Sequence, residues 1–224
     1  MIRVFIGYDS RMPAVSAVLM HSISTRASQP VTVTLLSLTQ LRAVFQRARN
    51  PLQSTEFSFS RFLVPHLCDY RGWAIFMDND MIVLDDIAKL WALRDDRYAV
   101  QVVKHDHRPS EETKFLGEKQ SKYEKKNWSS VMLFNCEKCR ALTPDYVNNT
   151  SGLELHQFKW LGSDDQIGEL PHRWNHLVGY DAPNPDVSLV HYTLGGPYFD
   201  ATRGCEYSAE WLRERDDMMR VARG

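Results

Sequence analysis

Short apolar runs alternate with amphipathic segments along the first part of the chain. Strand-like runs occupy residues 2–8, 31–36 and 73–77, and each is too short for a helix of ordinary length. Between them, apolar residues recur at helical spacing, first after Pro13 and again before the third run. Strands and helices in this order predict a largely parallel sheet with helices on both faces. We therefore predict an α/β fold with a Rossmann-like central sheet.

The rest of the chain continues this pattern. Further predicted elements are strands at residues 81–84, 98–103 and 131–134, a helix capped by Asp85 or Asp86, and a helix within residues 206–224. With 224 residues, 43% of them hydrophobic, the chain can bury the core of one α/β domain. We expect a single domain over residues 1–205, with the 206–224 helix either part of it or a docking element.

The helix predicted from Ser54 or Thr55 onward carries Arg61 and Pro65. Proline has no backbone N–H, so Pro65 cannot donate to the carbonyl of Arg61 four residues earlier. We therefore expect a bend in this helix that changes the direction in which Arg61 projects.

Residues 104–127 form a charged stretch with almost no aliphatic side chains between two predicted strands. Loops of this length are uncommon inside compact domains and usually serve as lids or binding loops, or are disordered. We interpret the stretch as a flexible flap on the acceptor side of a binding site. A solvated excursion without a role is an equally open interpretation.

The chain has 28 acidic and 27 basic residues, which gives a formal net charge of -1. This balance gives no global electrostatic reason to expect nucleic acid or an anionic membrane as a partner. The sequence starts directly with an apolar alternation and contains no run of about eighteen apolar residues. We expect a soluble, cytoplasmic protein without a transmembrane segment.

Two short motifs offer metal-binding residue types outside the predicted strands. Cys136 and Cys139 have the spacing of half a zinc site, but the sequence contains no second pair of that kind, which favours ordinary thiols at a strand-to-helix junction. In His105-Asp106-His107 two imidazoles could share one face of a strand and bind a metal. The polar surroundings favour a solvated turn instead.

The segment Asp78-Asn79-Asp80 directly follows the apolar run at residues 73–77. Ligands of open α/β sheets collect at the carboxyl ends of strands, and paired carboxylates are the oxygen ligands that Mg²⁺ or Mn²⁺ prefers. Because such ions are usually shared between carboxylates and substrate phosphates, the segment predicts a site for a diphosphate ligand. An acidic turn that merely ends a strand is the alternative.

A series of motifs, in this order and spacing, resembles the glycogenin-like family 8 glycosyltransferases. The resemblance extends from residue 3 to about residue 199. It is carried by Arg3 to Asp9, Ser60 to Pro65, Phe76 to Asp86, Ser130 to Asn135, Asp164 to Gln166, Leu170 to Asn175 and His191 to Pro197.

The resemblance implies a GT-A fold and transfer of a sugar from a nucleotide diphosphate donor, commonly UDP-linked, with retention of anomeric configuration. It also implies a bound Mn²⁺ or Mg²⁺, with Asp78 and Asp80 as the Asp-x-Asp metal ligands and His191 as the third. Gln166 and Asp165 correspond to the catalytic pair beside the reacting sugar. The donor-binding set consists of Tyr8, Asp9, Arg61, Asn79, Trp128, Ser129, Asp164, Gly195 and Gly196.

The chain departs from the family pattern at the position that usually contacts the diphosphate. A lysine usually precedes the Pro-Trp that follows the metal-binding histidine, whereas this chain has Gly195-Gly196-Pro197-Tyr198-Phe199. The missing contact could come from the backbone amides of the two glycines, or from Lys104 or Lys126. Trp128 could stack on a sugar or pack in the core.

Three functions remain open at this point. The leading hypothesis is a metal-dependent retaining glycosyltransferase that acts on a glycan, glycolipid or protein acceptor. A nucleotide-sugar-binding protein without turnover is the second, and the missing lysine supports it. A sugar nucleotidyltransferase on a related fold is the third, but it requires a glycine-rich loop where this chain offers only Gly7. The sequence also leaves homo-oligomerisation open.

Overall fold

A computed structural model describes residues 1–49, 53–106 and 124–220. Most of the stretch predicted as a flexible flap, residues 104–127, lies outside these ranges. In chain order the elements are β1 (Ile2–Gly7), α1 (Pro13–Arg26), β2 (Val31–Leu36), α2 (Val64–Leu67), β3 (Trp73–Met77), β4 (Met81–Val83), α3 (Ile87–Ala92), β5 (Val100–Val102), β6 (Val131–Asn135), α4 (Pro144–Asn149), α5 (Gly152–His156), β7 (Ile167–Glu169), β8 (His176–Leu177), β9 (Leu189–His191) and α6 (Ser208–Met219).

The central sheet has six strands in the order β2-β1-β3-β6-β5-β7. Five of these strands run in one direction, and β6 runs opposite to its neighbours β3 and β5. The predicted α/β class with a mostly parallel sheet is therefore confirmed.

Helices cover both faces of this sheet because the strand side chains alternate between two cores. On one face, Phe76 and Phe134 pack with residues from α2, α4 and α5. On the other face, Ile75 and Leu133 pack with residues from α1 and α3. Polar residues, among them Asp9 and Asp78, follow the carboxyl ends of β1 and β3.

A second, three-stranded sheet in the order β4-β9-β8 starts directly after the acidic segment. Its strands β4 and β9 are antiparallel, and Met81 pairs with His191. The amide of Tyr192 donates to the carbonyl oxygen of Asp80 at 2.9 Å. This pairing brings the end of β9 beside the end of β3, although the two are more than a hundred residues apart in sequence.

The helix predicted from Ser54 or Thr55 starts later and changes type. Residues Ser60–Leu63 form a 3₁₀ helix, and α2 begins only at Val64. The backbone N–H of Val64 donates to the Arg61 carbonyl, which satisfies the group that Pro65 cannot reach. The structure thus shows a change of helix type between Leu63 and Val64, and the expected bend stays a prediction.

Helix α6 packs on α1 at the C-terminal end of the described chain. Trp211 is buried against residues of α1, and the Glu214 carboxylate pairs with Arg26 at 2.6 Å and with His21. Burial alone would raise the pKa of Glu214, but hydrogen bonds from Arg26 and His21 hold it below the ordinary value. None of the helices within the described ranges has the length and apolar character that crossing a bilayer requires.

Cys136 and Cys139 lie at the junction between β6 and a short 3₁₀ helix, and both are buried free thiols. Burial raises the pKa of Cys139 above its ordinary value. Its Sγ lies 3.2 Å from the carbonyl oxygens of both Ala99 and Asn135, either of which can accept the thiol proton. The prediction of ordinary thiols at this junction agrees with the structure.

Candidate active site

Asp78, Asp80 and His191 meet at the carboxyl end of β3. One ligand atom from each lies within 4.8 Å of the other two. The amide of Asp78 donates to the Ser130 carbonyl at 2.9 Å, so β6 fixes the backbone at the point where β3 ends. Two carboxylates and one imidazole form a donor set suited to Mg²⁺ or Mn²⁺.

The ring of His191 is oriented by Asn175. His191 Nδ1 lies 3.0 Å from Asn175 Oδ1, and Asn175 Nδ2 donates to Ser130 Oγ at 2.8 Å. With the amide in this orientation, Nδ1 of His191 donates its proton to Asn175, and Nε2 keeps its lone pair. Nε2 faces Asp80 Oδ1 at 3.4 Å, as a metal-binding imidazole should.

Arg61 projects from the 3₁₀ helix onto Asp78. Its Nη1 lies 2.6 Å from Asp78 Oδ1 and donates to the Ser129 carbonyl at 2.9 Å, while Nε donates to the Ser58 carbonyl. The guanidinium is buried between the rings of Phe57 and Phe76, at 5.2 and 5.0 Å from their centres. This fork fixes the position of one carboxylate of the pair.

Asn79, expected among the donor-binding residues, points into the protein. Its side chain is fully buried, and Nδ2 donates to Ser16 Oγ on α1 at 3.3 Å. Because successive side chains of an extended segment point to opposite sides, Asp78 and Asp80 face the site and Asn79 does not. This donor-binding prediction is wrong for the Asn79 side chain.

The strand register places the backbone of Gln166 near the end of the sheet where β3 begins. The ladder across β3, β6, β5 and β7 places Gln166 level with Trp73, and the five residues from there to Asp78 span about 16 Å of strand. Ser163 caps the turn by accepting from the Asp165 amide at 3.2 Å. The Gln166 backbone is therefore separated from the carboxylates along the strands, and the catalytic role of Gln166 and Asp165 stays a prediction.

A histidine that the sequence did not indicate is linked to Arg61 through Ser129. His156, the last residue of α5, has its Nδ1 2.7 Å from Ser129 Oγ, and the Ser129 carbonyl accepts from Arg61. The half-buried imidazole packs edge-on against Phe62 at 5.3 Å between ring centres. The only sequence signal for this arrangement was the Ser-x-x-Glu capping box that starts α5 at Ser151.

Tyr8 and Asp9 directly follow β1. Tyr8 lines an open cavity of about 500 Å³. The cavity is also lined by Glu56 and by residues at and after the end of β2. Asp9 is fully buried, and its carboxylate accepts from Arg11 Nε at 2.9 Å and Nη2 at 2.7 Å. Burial alone would raise the pKa of Asp9, but the bonds from Arg11 lower it below the ordinary value.

Trp128 and Asp164 contact lysines near the start of β6. The half-buried ring of Trp128 packs against Phe158 in the core, and Nζ of Lys104 lies 5.7 Å from the ring centre. Asp164 is exposed and pairs with Lys125 at 2.6 Å, which lowers the pKa of this carboxyl.

The two glycines after β9 serve the local packing. Gly195 has a φ of 111°, and its amide donates to the Tyr192 carbonyl at 2.8 Å, so it is not available to a phosphate. A Cβ at Gly196 would lie 2.4 Å from the ring of Tyr198. Burial raises the pKa of Tyr198, and the Asp80 carboxylate raises it further.

Comparisons with known proteins agree with this fold. The family model described as glycosyl transferase family 8 matches residues 21–195. Protein CDI of Arabidopsis thaliana is 46% identical over 224 residues, which cover 96% of this chain and 86% of that protein.

Two solved structures share the fold. The galactosyltransferase LgtC, crystallised with donor and acceptor sugar analogs, superposes with a TM-score of 0.64 at 13% identity over 99% of this chain and 98% of that chain. The bifunctional glycosyltransferase WbbM superposes with a TM-score of 0.59 at 15% identity over 96% of this chain. This chain spans 49% of the WbbM chain.

The LgtC-like architecture confirms the predicted GT-A fold. The matched region includes the Asp-x-Asp segment, Asn175 and His191. The chain belongs to glycosyltransferase family 8.

Proposed function

We propose that the protein transfers a sugar from a nucleotide diphosphate donor, a UDP-sugar in the first instance, to a glycan, glycolipid or protein acceptor. The observation that supports this most is the meeting of Asp78, Asp80 and His191 within 4.8 Å at the carboxyl end of β3. Membership of family 8 supports retention of the anomeric configuration.

Asp78, Asp80 and His191 form a set of ligands for a divalent cation rather than a simple ion pair. Two carboxylates carry a charge of -2, one imidazole presents a lone pair, and Asn175 orients that ring from behind. When bound, Mn²⁺ or Mg²⁺ would neutralise the negative charge that develops on the diphosphate as the glycosidic bond breaks. Asp78, Asp80 and His191 would hold this ion.

The chain's own residues then supply position and charge around the donor. Arg61 fixes Asp78 through a hydrogen bond of 2.6 Å, which preorganises one metal ligand before the donor arrives. The open cavity beside Tyr8 has the volume expected for part of a small ligand, and we assign it to the nucleoside. Lys104, which follows β5 at the same end of the sheet, is our candidate for the phosphate contact that the family's lysine supplies.

His156 and Ser129 are our candidates for the donor-sugar side of the site. They are joined to each other at 2.7 Å, and Ser129 is joined to Arg61 at 2.9 Å. The chain His156, Ser129, Arg61 and Asp78 therefore connects α5 to the acidic pair. The strand register argues against this role for Gln166, whose backbone lies level with the start of β3.

The experiment is donor hydrolysis. The purified chain is incubated with Mn²⁺ and a panel of nucleotide sugars, and the released sugar is followed by NMR, which also reports its anomeric configuration. We expect slow hydrolysis of one donor with retention, and its loss when EDTA removes the metal. No donor binding with any nucleotide sugar in the presence of Mn²⁺ or Mg²⁺ would contradict the proposal.

A nucleotide-sugar-binding protein without turnover is the second candidate. Gly196 stands where the family has a lysine, and Tyr198 leaves no room there for a side chain. Metal-dependent binding by calorimetry without any hydrolysis would favour this function. A nucleotidyltransferase would instead release pyrophosphate from a nucleoside triphosphate, which the same NMR experiment detects.

A further inference from the structure

A second group of metal-binding side chains lies apart from the acidic pair. His105 follows β5, His172 lies in the 3₁₀ helix after β7, and Asp181 lies in the turn after β8. One ligand atom from each lies within 4.8 Å of the other two. The sequence prediction of a solvated turn at His105 is wrong, because this residue is only 7% exposed; His107 lies outside the described residues.

The two histidines differ in how firmly the surrounding protein holds them. The carbonyl of His105 accepts from the indole N–H of Trp128 at 2.9 Å, which holds the backbone after β5. The rings of His105 and His172 meet edge to face, with centres 5.0 Å apart at 78°. His172 has half of its side chain exposed, so an ion can enter from solvent and this ring can adjust its position.

The Asp181 carboxylate is oriented in the way that ligating carboxylates are. Its Oδ2 accepts from the Leu177 amide at 2.6 Å and lies 3.6 Å from His172 Nε2. His176 Nδ1 stands 3.9 Å from the same oxygen, and its Nε2 lies 3.2 Å from Glu206. His176 and Glu206 thus form an outer layer around the carboxylate.

The residue types distinguish this group from the acidic pair. Two imidazoles and one carboxylate, with an open position for water, are a set typical of Zn²⁺. Tetrahedral coordination needs ligand atoms about 3.3 Å apart, and His172 and Asp181 already approach that spacing. The acidic pair, with two carboxylates and one imidazole, is better suited to Mg²⁺ or Mn²⁺.

We propose that His105, His172 and Asp181 bind a Zn²⁺ ion. The ion joins three segments that are distant in sequence, namely the end of β5, the turn before β8 and the turn after it. Its role is to fix the end of β5, where the 107–123 stretch departs, to the second sheet. This site does not depend on the proposed sugar transfer.

Zinc binding is tested in a chain that lacks the first site. The variant Asp78→Asn/Asp80→Asn removes the acidic pair, and equilibrium dialysis with zinc followed by elemental analysis then gives the stoichiometry. We expect one Zn²⁺ per chain. Adding His172→Gln should weaken zinc binding on the order of 100-fold or more, because even outer-layer changes around metal sites cost about 10–100-fold.

The matched control is His66→Gln, which removes a half-buried histidine that contacts Tyr70 and should leave zinc affinity unchanged. Thermal unfolding provides the second measurement. Zinc should raise the Tm of the Asp78→Asn/Asp80→Asn chain, and it should not do so once His172→Gln is added.

A plain His172–Asp181 ion pair predicts a different result: His172→Gln would lower the Tm equally with and without zinc. That result would overturn the proposal. It would also be overturned if the Asp78→Asn/Asp80→Asn chain bound no zinc, or if His172→Gln left the zinc Kd unchanged.

Discussion

The two ends of the central sheet carry similar residue types but differ in what surrounds them. At the end where β3 stops, Asp78 meets a buried arginine, and Asp80 meets a histidine from another strand. At the other end, the backbone amide of Ala99 bonds to the Gln166 carbonyl, and Asp165 bonds to its own capping serine. Polar residues become a candidate site only where separate elements converge on them.

The largest expected effect comes from the acidic pair. Asp78→Asn/Asp80→Asn should lower kcat/KM at least about 1,000-fold, because metal stabilisation of the leaving charge supplies several kcal/mol. Steady-state kinetics with the active donor measures this loss. The control Asp216→Asn/Asp217→Asn removes the same charge from the exposed face of α6 and should change the rate less than twofold. Equal losses in both variants would contradict the assignment.

Arg61 has the next largest expected effect. Arg61→Lys keeps the charge but loses the fork that joins Asp78, Ser129 and Ser58, and we expect about a 10–100-fold loss in kcat/KM. The control Arg97→Lys alters an exposed fork on Asp95 and should have no kinetic effect. Full activity of Arg61→Lys would show that the fork does not matter.

His156 should have a smaller effect. His156→Phe keeps the ring packing against Phe62 but removes the 2.7 Å contact with Ser129, and we expect about a tenfold loss in kcat/KM with an unchanged Tm. A loss of Tm without a kinetic change would mean that His156 only supports the fold. The matched control is His66→Phe, which makes the same change at another half-buried histidine, located in α2 rather than α5.

Substitution of Gln166 has the smallest expected effect. It is also the most direct test of the difference between the two ends of the sheet. Gln166→Ala should change kcat/KM less than about twofold and the free energy of unfolding by less than about 0.5 kcal/mol, since its backbone is separated from the acidic pair along the strands. Kinetics and chemical denaturation measure the two quantities. A tenfold loss of kcat with an unchanged Tm would restore the original catalytic assignment.

The sequence predicted most of the sheet because each strand is a short, self-contained apolar run. Strands β2 and β3 have the predicted bounds, and β6 differs by one residue. The reversed direction of β6 was not predictable, because an apolar run such as 131–134 looks the same in either direction. Strand direction depends on connections that cross the whole sheet.

The candidate site was predictable where chemistry coincided with the end of a strand. Asp78 and Asp80 were identified in this way, and the resemblance added His191. The assignment of Gln166 rests on a matched Asp-Gln pair alone, and the strand β7 that starts directly after it separates its backbone from the acidic pair. The contacts of Asn175 and His156 were not predictable, since only the tertiary fold brings these residues to His191 and Ser129.

The most direct test of the metal-centred account is a crystal soaked with Mn²⁺ and UDP, analysed by the anomalous scattering of manganese. The account predicts a peak about 2.0–2.3 Å from Asp78, Asp80 and His191, with the diphosphate on its open side. A manganese peak at any other group, with UDP bound away from the acidic pair, would contradict it.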